Sequence, residues 1–257
     1  MAVVSVDILF LNGWSFTSGF IDPYIKQLAG DRTFHIEDIS DEHGSVEGLE
    51  HLLAYLKRGT VIVGWSLGGM LAIRLASIAE ARGVKFSSLV CLAAAPVFVG
   101  SETTFQGMSH EAFAQFEAMA KNPDELVKQF PFLITQGAQD QRKLLREVRA
   151  AYGTHVQAVG LRDSSFVLLR DLDVNEELEG LNAAILFVFG EQDSLISKHY
   201  VEQLRSRWAS KENIELVLVP GVSHFPFVAA VAELLRAPLV CWSDCEGNMA
   251  IRDASVK

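Results

Sequence analysis

Residues 60–76 read TVIVGWSLGGMLAIRLA: an apolar β-branched run, a Gly-Trp-Ser-Leu-Gly pentad, then a small-residue run with helical character. This stretch constrains the fold more than any other. A strand that becomes a helix within five residues sets Ser66 on a tight, strained turn, where flanking side chains would collide. Gly64 and Gly68 remove them. The spacing Gly64-x-Ser66-x-Gly68 between a strand and a helix makes Ser66 a candidate nucleophile. The helix beginning near Leu67 would direct its positive end at any anion developing there. A glycine-rich turn whose serine merely caps the helix is the plainer alternative.

The rest of the chain repeats the strand-then-helix rhythm. Apolar runs bounded by turn residues predict strands at VSVDILFL (4–11), TFHIEDI (33–39, the weakest), 60–65, SSLVCLAAA (87–95), AAILFVFG (183–190) and IELVLVP (214–220). Helical periodicity is expected at 46–57, with Leu49, Leu52, Leu53 and Leu56 on one face, and at 68–83, ended by Gly83. Further helices are expected at 197–209, with Ser197 as N-cap, and at 227–236. Such alternation predicts an α/β domain with a mostly parallel central sheet and helices on both faces. The rhythm breaks over 98–172, which is helical and Phe-rich. The expected organisation is therefore a core of 1–97 and 173–236, an inserted helical cap of 98–172, and a tail of 237–257 to which no role is assigned.

A serine hydroxyl needs a base, and the base needs a carboxylate to hold its tautomer. On a sheet of this type these groups follow later strands, the acid before the histidine. Asp193 follows 183–190 in the turn GEQD, and Glu191 is its nearest rival. His224 follows 214–220 in PGVSHF. The other six histidines, His35, His43, His51, His110, His155 and His199, fall on expected surface helices, loops or the cap. Two backbone N–H groups could hold an oxyanion: Leu67, next after the serine, and Trp14, in the early loop LNGWS. Trp14 is also a candidate wall of the acyl pocket.

Composition excludes several other classes. A net charge of -10 gives no global support for binding nucleic acid or an anionic membrane. Cys91 sits in an apolar run and reads as a buried hydrophobe, while Cys241 and Cys245 lack neighbouring ligands for zinc. The odd cysteine count favours a reducing compartment. The N-terminus reads as a strand rather than a signal peptide, and no apolar run is long enough to span a bilayer. A cytoplasmic monomer without metal or organic cofactor is the expectation.

FLNGWS, VGWSLGGMLA, the Phe-rich insertion, LRDLDVNEELEGLNAAILFVFGEQDSLIS and VSHFPFV together resemble the α/β-hydrolase esterases that release pimeloyl-carrier protein from its methyl ester in biotin synthesis (the BioH type). The resemblance runs to about residue 236 and implies the α/β-hydrolase fold. It also implies that VKQFPFLITQG lines an acyl channel, placing Phe130, Phe132, Leu133 and Ile134 near substrate. DQRKLLREVRA then corresponds to the helix whose arginines hold an acidic acyl-carrier protein, through Arg142, Arg146 and Arg149. From 142 to 170 there are six basic and two acidic residues, a net of +4 in an acidic chain. The oxyanion loop departs from the family, which commonly has His-Gly where this chain has Asn12-Gly13. Asn12 can still hydrogen-bond the loop.

The residues leave other activities open. A short-chain carboxylesterase, thioesterase or lactonase would use the same groups without a carrier protein, and a C–C bond hydrolase is compatible with them. A dehalogenase would need Asp in place of Ser66. A hydrolase fold kept as a non-catalytic ligand-binding protein is the alternative of another class.

Overall fold

The computed structural model describes residues 4–100 and 107–244, with side chains to residue 236. Its centre is a six-stranded sheet in the order β2-β1-β3-β4-β5-β6, every pairing parallel. The strands are β1 (Ile8–Leu11), β2 (Phe34–Glu37), β3 (Val61–Trp65), β4 (Ser88–Leu92), β5 (Ala184–Gly190) and β6 (Ile214–Val219). All six expected strands are present, trimmed at their ends. β1, β3 and β4 are buried throughout, as strands covered on both faces must be. The outer strands β2 and β6 are only half-buried, and there His35, Glu37 and Glu215 interrupt the apolar run.

The helices are α1 (Ser18–Ala29), α2 (Val46–Glu50), α3 (Leu67–Ala81), α4 (His110–Ala120), α5 (Pro123–Thr135), α6 (Gln141–His155), α7 (Val159–Asp171), α8 (Asn175–Gly180), α9 (Lys198–Arg207) and α10 (Ala229–Asp244). α3 is buried along most of its length under the sheet, and Gly83 follows its end at φ 70°. Ser197 caps α9 by accepting the Tyr200 N–H.

Three expectations need correction. α1 was not anticipated, although Phe20, Ile21, Ile25 and Ala29 give it a buried face; Pro23 inside it obscured the pattern. The helix expected over 46–57 is α2 followed by a 3-10 turn, His51–Tyr55. Leu49 and Leu52 still point inward, so the apolar face was legible and the winding was not. At the C-terminus α10 runs past residue 236 to Asp244, taking in the first part of the expected tail. The rest of that tail, with Cys245 and the side chain of Cys241, lies outside the described residues.

Between β4 and β5 the chain forms α4–α7, with α8 leading into β5. Its two ends meet, because Val97 and Asp173 form an isolated antiparallel bridge and Val174 N–H donates to Pro96 O.

Candidate active site

Ser66 stands between β3 and α3 at φ 54°, ψ -121°, one of three non-glycine residues with positive φ among the described residues. Its neighbours explain the glycines. A Cβ on Gly64 would lie 2.3 Å from Gly68 O, and one on Gly68 would lie 2.2 Å from Leu11 O. The serine N–H donates to Leu92 O, the last residue of β4, which fixes the turn to the sheet edge.

Asp193 and His224 follow β5 and β6 and converge on the same edge. His224 Nδ1 donates to Asp193 Oδ2 at 2.8 Å, and His224 Nε2 lies 3.1 Å from Ser66 Oγ. Because Nδ1 carries the proton, the Nε2 lone pair faces the serine hydroxyl. Asp193 Oδ1 accepts the backbone N–H groups of Leu195 and Ile196 at 2.8 and 2.9 Å, so the carboxylate cannot turn away. Both side chains are almost fully buried. Glu191 instead pairs with Lys198 on the surface, 2.7 Å apart, well off this line of contacts.

The early loop is held from within. Buried Asn12 donates through Nδ2 to Phe16 O at 3.1 Å and to Asp38 Oδ1 at 3.2 Å, and its Oδ1 accepts the Gly13 N–H at 2.9 Å. Among the described residues, no protein acceptor takes the backbone N–H of Trp14 or of Leu67. Two donors beside Ser66 are thus uncommitted, as an oxyanion site requires.

A narrow cavity opens over Ser66 and His224, walled by Trp14, Phe16, Phe98, Phe116, Phe130 and Leu169 among others. The Trp14 ring meets Phe116, Phe130 and Phe166 edge-on at 5.1–5.6 Å, and its indole N–H donates to Arg162 O. The lining is aromatic and apolar, suited to an acyl chain rather than a sugar or phosphate. Of the four channel residues implied by the resemblance, Phe130 lines this cavity. Phe132 is 43% exposed, Ile134 is buried with its carbonyl on the Phe225 N–H, and Leu133 O accepts from Ser194.

Trp65 was missed. Its indole N–H donates to His224 O at 3.1 Å, and its ring packs against Phe16 and Phe225. The tryptophan in the pentad was the available signal, since a buried indole needs an acceptor.

Arg142, Arg146 and Arg149 are exposed on α6, with Lys143 beside them. Two other members of the basic count do not join that face. Arg162 is buried (2% exposed), and Arg170 is paired with Asp171. His43 is another correction, since it is buried rather than on the surface, and His35 lies in β2.

The Alpha/beta hydrolase family profile matches residues 8–237. The chain is 26% identical over 242 residues to the pimeloyl-[acyl-carrier protein] methyl ester esterase of Xylella fastidiosa (strain M12), covering 90% of this chain and 92% of that one. To the protein of the same name from Klebsiella pneumoniae (strain 342) it is 28% identical over 243 residues, with the same coverage. Among solved structures, a bromoperoxidase from Bacillus anthracis superposes with a TM-score of 0.71 at 16% identity, covering 91% of this chain and 90% of that one. A hydrolase from Oleispira antarctica gives 0.70 at 18% identity, covering 90% of each. No helix among the described residues is long and apolar enough to cross a membrane.

Proposed function

The chain belongs to the alpha/beta hydrolase family and is a carboxylic ester hydrolase; we propose that it cleaves the methyl ester of pimeloyl-acyl-carrier protein through Ser66, His224 and Asp193. The observation that carries the chemistry is the unbroken line Asp193–His224–Ser66, with contacts of 2.8 and 3.1 Å. His224 takes the proton as Ser66 Oγ attacks the ester carbonyl, and Asp193 stabilises the imidazolium. The N–H groups of Trp14 and Leu67 receive the oxyanion, each worth about 3 kcal/mol of transition-state stabilisation. His224 then protonates the leaving alcohol, methanol in this reading, and activates the water that frees the acid. No step calls on a metal or organic cofactor.

The acyl assignment rests on different support: the aromatic cavity, the names of the relatives, and the exposed arginines of α6. In this reading 98–172 is a cap, its inner face shaping the acyl site and α6 receiving the acidic carrier protein. Ser66→Ala should abolish hydrolysis of a p-nitrophenyl ester while the circular dichroism spectrum is unchanged. Turnover surviving in that variant would remove Ser66 from the mechanism. For the substrate, the chain should restore biotin-independent growth to cells lacking their own pimeloyl ester esterase. Failure there, with free esters still cleaved, would favour a general short-chain esterase.

A further inference from the structure

Two strands away from Ser66, the sheet edge carries a cluster that ester hydrolysis does not use. Three of the seven histidines converge on one carboxylate. His35 Nε2 lies 3.0 Å from Glu37 Oε2, while His43 Nε2 and His51 Nε2 lie 3.4 and 3.8 Å from Oε1. The groups come from three elements: β2, the 3-10 turn Asp41–Gly44, and the 3-10 turn His51–Tyr55. One donor atom each from Glu37, His43 and His51 falls within 4.8 Å of the others. A tetrahedral zinc ion with N and O bonds of roughly 2.0–2.1 Å holds its ligand atoms about 3.3 Å apart. The Glu37–His43 separation already meets this, His51 Nε2 is about half an ångström too far from Glu37 Oε1, and the two histidines close on each other from within 4.8 Å.

We infer that Glu37, His43 and His51 form a binding site for a divalent transition-metal ion of the zinc class, with water completing the coordination. The surroundings fit that role. His51 Nδ1 donates to Gly48 O at 2.8 Å, which leaves the Nε2 lone pair for the ion. His35 donates to the second carboxylate oxygen and orients it. Burial pushes the Glu37 carboxyl up, but hydrogen bonds from His35 and His43 outweigh it and hold the group at about 2. His43 Nδ1 accepts the Ser40 N–H at 2.9 Å and lies 3.1 Å from Ser40 Oγ. With a metal on Nε2, the ring proton moves to Nδ1, which gives up the Ser40 N–H and donates to Ser40 Oγ instead. This tautomer change favours an ion that binds imidazole strongly over magnesium or calcium, which prefer oxygen.

The test is calorimetric titration of the untagged full chain with Zn²⁺, with thermal melts in parallel. One zinc per chain and a raised Tm are expected, with His51→Ala and Glu37→Gln each weakening binding by roughly tenfold or more. His51 is half exposed, so its alanine variant is expected to keep the fold, checked by circular dichroism. Substitution with Co²⁺ should give visible d–d bands without a thiolate charge-transfer band, separating this site from any cysteine site. Absence of saturable zinc binding, equal affinity in wild type and His51→Ala, or a thiolate-dominated cobalt spectrum would each overturn the inference.

Discussion

Ser66 at φ 54° keeps a backbone that L-residues rarely adopt, and the glycines around it leave the room that the tight turn needs. Gly68→Ala places a methyl 2.2 Å from Leu11 O, and backbone cannot yield cheaply. A loss of about 2 kcal/mol or more is expected, with esterase activity falling further than stability, measured by urea melts alongside p-nitrophenyl ester kinetics. Asn12→Ala removes the donor to Phe16 O and Asp38 and the acceptor for the Gly13 N–H. Unmade buried hydrogen bonds cost about 1–3 kcal/mol, and the loop carrying the Trp14 N–H loses its anchor. The expected signature is a lower kcat with KM little changed; a change in KM alone would deny Asn12 a part in transition-state geometry. Ser66, Asp193 and His224 were legible in sequence because each follows a strongly apolar strand. Trp65 and the partners of Asn12 were not, since the indole bond to His224 O, 159 positions away, and the Asn12 bond to Asp38 beyond β2 leave no periodicity.

Among elements, strands read more clearly than helices. β3 and β4 are short, wholly buried runs that cannot be mistaken for amphipathic helix. α1 escaped because Pro23 counts against a helix until the buried face of Phe20, Ile21 and Ile25 is seen to outweigh it. The aromatic content of the insertion was plain in the sequence, yet which rings reach the cavity depends on helix rotation. On α5, Phe130 turns inward and Phe132 outward, two positions and roughly 200° apart. On α6, Arg142 and Arg146 lie one turn apart on the exposed side, so their charges act together. Arg142→Glu with Arg146→Glu should impair cleavage of a carrier-linked ester roughly tenfold, increasingly so at low salt, and leave small free esters unaffected. Equal effects on both substrates would place the arginines outside carrier recognition.

At the scale of the whole molecule, acid sensitivity follows from two carboxylates at the β1–β2 side of the sheet. Asp7 is lowered to about 2, chiefly by its hydrogen bond from Lys57, and Glu37 to about 2 as described. Groups whose folded pKa is depressed add stability above their unfolded value and lose it as pH falls toward the folded one. Tm should therefore decline as pH drops from about 4.5 to about 2, and Asp7→Asn should flatten that decline. A pH-independent Tm in this window would contradict both assignments. The bridge between Val97 and Asp173 has a different consequence. Because the chain leaves the sheet and returns at one point, the closure entropy of everything between depends only weakly on its length. The insertion is thus a port: lineages could exchange its contents while β4 and β5 keep their register. On the proposed reading of this segment as a cap, substrate range can drift without the edge carrying Ser66 being rebuilt.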